Sequence, residues 1–580
     1  MSKFLTDNQK KIIDRNGLFV VNACPGSGKT LTVAARLAEK LTRWDYNNRG
    51  IATISFTNVA WQEIEKTLLN DYNIKAPISY PHFLGTIDSF VNKYIFLPYG
   101  HLVMKCSERP ELIGPPINNW EPIGNGWYWP KQYANCYKNN CKLNSFSFDL
   151  NGNVYNFAPL NHFSNCEIID KPCSKYKNLL IKKGYATQLD ANFFAMKVLQ
   201  NYPQVAKALA YRFLFLMVDE AQDTSEIQMK IIDLLIENGL KEVMLIGDPN
   251  QAIYEWRTAN PKLFIQKYKE WLTNSMVLNE NWRSSQKICD FSSKISLPSE
   301  SLIAKKEIIK DFNTTPIIIG YQENKYTTII SEFIELCRKE DIDPTNDDVS
   351  ILVRGNEIIK EIKGVRKSTS KLNPWNDELT KGISENKHSF DQGNLKQGFY
   401  NLERLLCKRI NNLKFCTSDN LKDIISKLGF TTWRKEIYSL LTKLPPTTGL
   451  LKEWVKKADE ILKQSTSEPH DLKIKRDKGN NKYSLLTFEE ILTPPSTTYL
   501  DTNLKIGTVH SVKGETFEAI LLILKSKAGN GQNYTNVLNE NIAENEELRI
   551  VYVGITRPRK ILVLAVPEKD KNTWERKFFN

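Results

Sequence analysis

Short apolar runs recur along this chain: Leu18–Val21, Phe213–Val218, Val243–Ile246, Ile317–Ile319 and, broken only by Ser350, Val349–Val353. Continuous apolar runs of this length read as strands buried on both faces, as in a parallel sheet. Between the first runs the spacing changes to a helical one. Leu31, Ala34, Ala35, Ala38 and Leu41 fall on one face and predict an amphipathic helix directly after a strand and a turn. The expected fold is therefore α/β. Two intervals lose this alternation. From Leu97-Pro98-Tyr99-Gly100, read as a glycine-bearing turn, to about Pro203 the chain becomes rich in Asn, Tyr and Trp. Within it, Phe146 and Phe148, then Asn151-Gly152, then Val154 and Tyr155 predict a β-hairpin with a primed turn. From about Lys367 to Pro495 the chain is charged and mostly helical in period, punctuated by Pro445-Pro446 and Pro494-Pro495. Ile506 marks the return of strand pattern.

The first strand–turn–helix carries the clearest chemistry. Its turn reads Ala23-Cys24-Pro25-Gly26-Ser27-Gly28-Lys29-Thr30. Backbone N–H groups converging on a polyphosphate leave no room for side chains, hence Gly26 and Gly28. Lys29 brings a point charge to the outer phosphates, and Thr30 a hydroxyl to magnesium. Ala23 stands where the usual pattern has its first glycine. A second run, Phe213–Val218, ends in Asp219-Glu220, two carboxylates at the strand end where open α/β sheets bind ligands. Asp219 can hold the magnesium shell, and Glu220 can orient and deprotonate the attacking water. The third strand ends in Gly247-Asp248-Pro249-Asn250-Gln251, placing Gln251 at the same sheet edge to sense the terminal phosphate.

With these residues in place the chain resembles superfamily 1 helicases of the UvrD/Rep type, through an ordered series of motifs. Leu5-Thr6-Asp7-Asn8-Gln9 resembles the adenine-reading glutamine motif. The phosphate loop is followed by Ser55-Phe56-Thr57-Asn58 and Gly85-Thr86-Ile87-Asp88-Ser89-Phe90. Asp219-Glu220-Ala221-Gln222-Asp223 precedes Gly247–Arg257. The second half carries Asn281-Trp282-Arg283-Ser284, then Thr508–Phe517, then Val551–Arg557.

The resemblance implies two RecA-like parallel-sheet cores forming an ATP cleft, each with an inserted accessory domain. The first core would comprise residues 1–97 and 204–280, with its insert at 98–203. The second would comprise 281–366 and 496–580, with a reduced helical insert at 367–495. It also implies roles. Gln9 would read the adenine edge and Trp282 stack on the base. Arg283 and Arg557 would approach the terminal phosphate from the second core. Phe56, Tyr254 and Trp256 would stack on successive nucleobases, with Thr57, Asn58, Thr86, Arg257 and His510 along the strand. Two departures stand out. Lys513-Gly514 is followed by Glu515-Thr516, where the family has Leu-Glu, so either Glu515 or Thr516 would reach the nucleotide sugar beside Gly514. Asp88 stands where many members have His.

Composition agrees. Lys plus Arg number 79 against 66 Asp plus Glu, a net charge of +13, which favours a polyanionic partner. The N-terminal residues carry no apolar signal region and the longest apolar runs are about six residues, far short of a membrane span, so a soluble cytoplasmic protein is expected. The ten cysteines then read as reduced thiols. Cys106, Cys136, Cys141, Cys166 and Cys173, near His162, contain no C-x2-C pair, and free thiols are the favoured reading over zinc.

Two functional readings follow. The leading one is an ATP-dependent DNA helicase, using ATP and Mg2+, that translocates on single-stranded DNA and separates duplex; the resemblance implies 3′→5′ polarity. The second is a DNA-stimulated ATPase subunit that activates a separate partner nuclease. Reduced inserts and the Glu515-Thr516 variation are similar to short UvrD-like proteins of antiphage systems, such as the helicase partner in Gabija.

Overall fold

The computed structural model describes residues 5–74, 77–114, 146–156, 177–178, 180–254, 258–297, 301–322, 325–345, 347–362, 373–391, 393–411, 416, 418–465, 472–479, 482–491 and 504–579. The chain divides into two compact units, residues 1–358 with 502–580, and residues 359–501.

The apolar runs form strands because each is flanked on both faces by helices, which leaves no place for polar alternation. In the first unit six parallel strands run in the order Met276–Leu278, Leu18–Ala23, Glu242–Gly247, Phe213–Val218, Gly50–Ser55, Phe83–Thr86. Five more parallel strands form a second sheet in the order Ile317–Tyr321, Pro558–Pro567, Phe517–Ile523, Val349–Val353, Lys505–Thr508. Each sheet has its own apolar core. Val20, Ile54, Val218 and Leu245 pack with the helices of the first, and Leu352, Leu522, Val553 and Leu564 belong to that of the second. In both, the C-terminal strand ends gather the motif residues. The expected parallel α/β fold with two sheets is the observed one.

Three helices position the first site. Helix α1, Asp7–Asp14, starts on a capping box in which Thr6 and Gln9 exchange bonds. Helix α2, Lys29–Thr42, follows the phosphate loop, and α3, Asn58–Tyr72, is capped by the Thr57 side chain.

Two local expectations are corrected. Leu97–Gly100 is not a turn but the start of the helix Leu97–Met104. Pro98 is tolerated in its first turn, and Gly100 is needed because a Cβ there would lie 2.8 Å from the Phe96 ring. The hairpin Phe146–Phe148 with Val154–Asn156 forms as expected, antiparallel. Its turn is not a two-residue primed one. Asp149 accepts from the backbone N–H of Asn151 and Asn153, and only Gly152 adopts positive φ, +93°. An Asp side chain folding onto its own turn sets a longer loop than Asn-Gly alone would. The tryptophans of the first insert, and Cys136, Cys141, Cys166, Cys173 and His162, lie outside the described residues, as do Trp256 and Arg257.

The second unit is helical: Glu378–Asp391, Leu395–Ile410, Ser418–Leu428, Phe430–Lys443 and Leu451–Ser465. Trp375, Ile383, Leu402, Trp433, Leu441 and Trp454 are among its core residues.

Candidate nucleotide cleft and strand platform

The phosphate loop leaves the strand Leu18–Ala23 and is turned by two residues in the left-handed region, Gly26 at φ +70° and Gly28 at φ +79°. Both glycines also permit close approach. A Cβ on Gly26 would lie 2.6 Å from the Arg283 Cβ, and one on Gly28 2.8 Å from Gln9 Nε2. Ala23 is a fully buried strand end at ordinary backbone angles, so the missing first glycine costs nothing here. Cys24 packs against Cys289, Leu302 and Ala304, and burial pushes its thiol up to about 12, so it is an inert filler beside Pro25. Ser27 donates to the Cys24 carbonyl at 2.8 Å. Lys29 Nζ folds back onto the carbonyls of Ala23 and Cys24 at 3.3 and 3.2 Å. Gln9 is buried and donates to the Ser27 carbonyl at 3.2 Å, so α1 is fastened to the loop.

The carboxylate pair sits where the sequence places it. Asp219 is anchored by its N–H to the Ile54 carbonyl, and its Oδ1 accepts from the Glu220 N–H at 2.9 Å. Its Oδ2 is buried without a hydrogen-bond partner among the described residues. Burial, then the neighbouring Glu220 charge, pushes Asp219 up to about 7. Glu220 adopts φ +53°, a strained conformation for a non-glycine residue. Burial acts to raise its carboxyl, but Lys513 and Lys29 outweigh it and hold Glu220 below the usual range, ready as an anion.

The second sheet contributes the facing wall. The Trp282 backbone N–H donates to the Gly26 carbonyl at 2.8 Å, and the residue is 39% exposed along the cleft. Arg283 Nη1 donates to the Thr556 carbonyl at 3.2 Å. Arg557 is buried, and its Nη2 donates to Gln251 Oε1 at 2.5 Å. Gln251 in turn donates to Asp248 Oδ2 at 2.7 Å. Desolvation and then Arg557 depress Arg283, a sign of two like charges gathered where an anion would compensate them. A cleft of about 600 Å³ is lined by Gly26–Thr30, Glu220, Gln251, Trp282, Arg283, Gly514 and Arg557 among others.

The decisive observation is that two family descriptions match the chain in the same order, one over the segments that carry the phosphate loop, Glu220 and Gln251 and the other over those that carry Gly514 and Arg557, with Trp282 and Arg283 lying between the two matches. The UvrD/REP helicase N-terminal domain matches residues 5–107 and 135–271, and the UvrD-like helicase C-terminal domain matches 449–569. The chain belongs to the UvrD/Rep helicase family. It is thereby an ATP-hydrolysing DNA helicase. The chain is 24% identical over 635 residues to the ATP-dependent DNA helicase Rep of Buchnera aphidicola subsp. Acyrthosiphon pisum, covering 96% of this chain and 94% of the relative. It is 20% identical over 621 residues to the putative ATP-dependent DNA helicase YjcD of Bacillus subtilis, covering 97% and 78%. A shorter stretch of 104 residues is 38% identical to the exonuclease/helicase subunit RexA of Streptococcus pneumoniae, 17% of this chain and 8% of that one.

In this UvrD/Rep-type helicase the strand residues are placed less simply. Phe56 and Tyr254 stack on each other, ring centroids 5.4 Å apart at 28°. That spacing leaves no room for a base between them, so the pair presents outer faces instead of successive gaps. Lys513 Nζ lies 4.6 Å over the Tyr254 ring, and the His510 ring centre is 6.3 Å from it. The hydroxyls of Thr57 and Thr86 cap helices, accepting from Ala60 and Ser89 N–H at 3.3 and 3.1 Å. Asn58 accepts from the Trp61 indole. Asp88 accepts from Asn192 and Gln228, both at 3.1 Å, so it braces neighbouring helices.

Of the two residues after Gly514, the Glu515 carboxylate is paired with Lys505 at 2.5 Å, whereas Thr516 lines the cleft with Gly514. Sequence reasoning missed two partners. Lys513 and Asp223 form an ion pair at 2.5 Å with side chains 9% and 1% exposed, joining the two sheets. Each stands within a motif, but nothing in the spacing pairs residues so far apart. Glu63 also faces the cleft from α3, and burial and then Glu220 raise its carboxyl. The four-residue spacing of Val59, Glu63, Thr67 and Asp71 is the helical signal that could have identified it.

Proposed function

We propose that this helicase moves along single-stranded DNA in the 3′→5′ sense and separates duplex as it advances. The reading rests on one observation above all. Glu220 and Gln251 of the first sheet and Arg283 and Arg557 of the second line one cleft with the phosphate loop. In this scheme Lys29 releases the loop carbonyls to meet phosphate oxygens, and Glu220 takes a proton from the attacking water. Arg283 and Arg557 bear on the terminal phosphate, and losing that phosphate frees Arg557 to return to Gln251. Gln9 and Trp282 hold the base, and Thr516 faces the sugar. Phe56, Tyr254 and Trp256 grip bases without reading sequence. The division into cores at 1–97 with 204–280 and 281–366 with 496–580, each carrying an insert, is part of the same proposal.

Magnesium fits the residues present. Asp219 Oδ2 is buried and has no hydrogen-bond partner among the described residues, and Thr30 lines the cleft together with the neighbouring Glu220. Among the described residues no group of three or more His, Cys, Asp or Glu could hold a metal by itself. Two protein oxygens with phosphate and water completing the shell is a magnesium pattern. When bound, the cation neutralises charge on the phosphate oxygens.

Strand displacement on a 3′-tailed duplex tests the reading, with Glu220→Gln as the informative variant. ATP binding persists while hydrolysis falls by about 10²–10⁴. Near-normal turnover in that variant removes Glu220 from the chemistry, and displacement from 5′ tails alone reverses the polarity.

The segment similar to an exonuclease/helicase protein favours a second reading, in which the same ATP cycle reports DNA to a partner nuclease, as in a Gabija-type defence pair. Hydrolysis with no strand displacement until a nuclease is supplied would select it. Among the described residues no helix is long and apolar enough to cross a membrane.

A further inference from the structure

The edge of the first sheet opposite the nucleotide cleft carries a surface the reaction does not use. Three segments meet there, just before the strands Gly50–Ser55, Phe83–Thr86 and Phe213–Val218. They expose Tyr46, Tyr80 and Tyr211 at 48, 64 and 61%. Two arginine guanidiniums sit against these rings. Arg49 lies 4.3 Å over Tyr211 and 5.5 Å over Tyr46, and its Nε donates to the Tyr211 carbonyl at 2.8 Å. Arg212 lies 5.1 Å over Tyr80 and 4.9 Å over the ring of Tyr94 behind it. Neither guanidinium has a carboxylate partner among the described residues. Trp44 closes the surface from below, 5.5 Å from Tyr46 and 5.3 Å from His82, with its indole N–H on the Arg49 carbonyl.

We propose that this Tyr–Arg surface docks an acidic segment of a protein partner. Residues 43–50, 77–82 and 203–212 contain one acid, Asp45, against Arg43, Arg49, Lys207 and Arg212. Lys207 is exposed one helical turn before Tyr211 and so faces the same side. Arg49 spends its Nε on the Tyr211 carbonyl and Arg212 Nε is buried without a partner among the described residues, so the terminal N–H groups are what each guanidinium offers to carboxylate oxygens. Tyr rings add rigid apolar contact at little entropic cost, and Tyr with Arg is the composition of interface hot spots. The placement matters too. The strand platform of Phe56 and Tyr254 lies at the other ends of these strands, so a partner here leaves the DNA path and the nucleotide cleft open.

The test uses a fluorescein-labelled peptide of alternating Glu and Leu, followed by anisotropy, with excess unlabelled oligo-dT to fill nucleic-acid sites. Full-length protein is expected to bind it saturably. Arg49→Gln combined with Tyr211→Ser should weaken binding at least about tenfold. Tyr80→Glu, which adds a carboxylate and removes neither guanidinium, should do the same. Melting temperature and DNA-stimulated ATPase stay at parental values in both, which separates lost docking from lost folding. Equal peptide binding by parent and variants overturns the proposal, as does the absence of saturable binding. Labelled oligo-dT that is lost in the same variants assigns the surface to nucleic acid and overturns it as well.

Discussion

Arg557 Nη2 donates to Gln251 Oε1 at 2.5 Å, joining residues 306 positions apart across the cleft between the two sheets. Both side chains are buried, so this bond satisfies Gln251 Oε1 and one terminal N–H group of Arg557. Arg557→Ala therefore has two separable effects. Turnover should fall by about 10³ or more, the range for an arginine that stabilises transferred phosphoryl charge, with ATP binding retained. Stability should fall by about 1–3 kcal/mol because Gln251 Oε1 is left unpaired. Single-turnover kinetics beside a denaturant titration reads both. Intact turnover would remove Arg557 from the chemistry. Arg559 is a poor substitute, since Glu518 already holds it at 2.6 Å.

Gly26 is constrained twice, by φ +70° and by the Arg283 Cβ at 2.6 Å from any added Cβ. Gly26→Ala should lower stability by more than about 1 kcal/mol and depress hydrolysis. Parental melting and turnover would show that the Asn281–Arg283 segment can shift without consequence.

The Lys513–Asp223 pair predicts a pH signature. Burial outweighs Lys513 and raises Asp223 to about 6. A carboxyl raised above its unfolded value favours the native state fully below that unfolded value, and the contribution is lost as pH rises through about 6. Lys513→Met strands the acid and raises it further, so its melting temperature should fall more steeply between pH 5 and pH 8 than the parent's, with a cost of about 3–5 kcal/mol at the upper end. Adding Asp223→Asn should flatten the slope. A parallel pH profile for parent and Lys513→Met would overturn the assignment.

Tyr254→Ala removes one ring of the stacked pair and the aromatic face under Lys513, without touching the phosphate loop. Single-stranded DNA binding should weaken by about 1–3 kcal/mol and strand separation should drop, while ATP binding persists. Trp256→Ala is expected to behave alike. Raised salt should weaken DNA binding by parent and variants together, through counterion release. If Tyr254→Ala separates strands as the parent does, Phe56 and Tyr254 are packing and the strand runs elsewhere.

Local signals carry much of this in the sequence. The strand before Ala23, the glycines that free the loop backbone, and the carboxylates closing Phe213–Val218 are each written within a dozen residues, so pattern alone locates them. What depends on distant packing is not legible. Glu515 and Thr516 cannot be told apart without Lys505, which holds the former. Phe56 and Tyr254 each read as a surface for a base, and their mutual stacking is a tertiary fact. Gly100 is a different case: Pro98 and Gly100 are local turn signals, and the helix that runs through them overrides both, with Gly100 making room for the Phe96 ring one turn before it.

Within four residues the chain changes allegiance. Trp282 bonds to Gly26 of the first sheet, whereas the Ser284 hydroxyl bonds to Pro558 at 2.7 Å and the Ser285 N–H to Arg559 at 2.9 Å, both on the second. Arg283 lies between them, and its guanidinium ends on the carbonyl of Thr556, the residue before Arg557. The crossing of the chain and the pair of cations thus share one seam: a displacement of the Gly26 loop reaches the neighbourhood of Arg557 through a single short stretch of backbone.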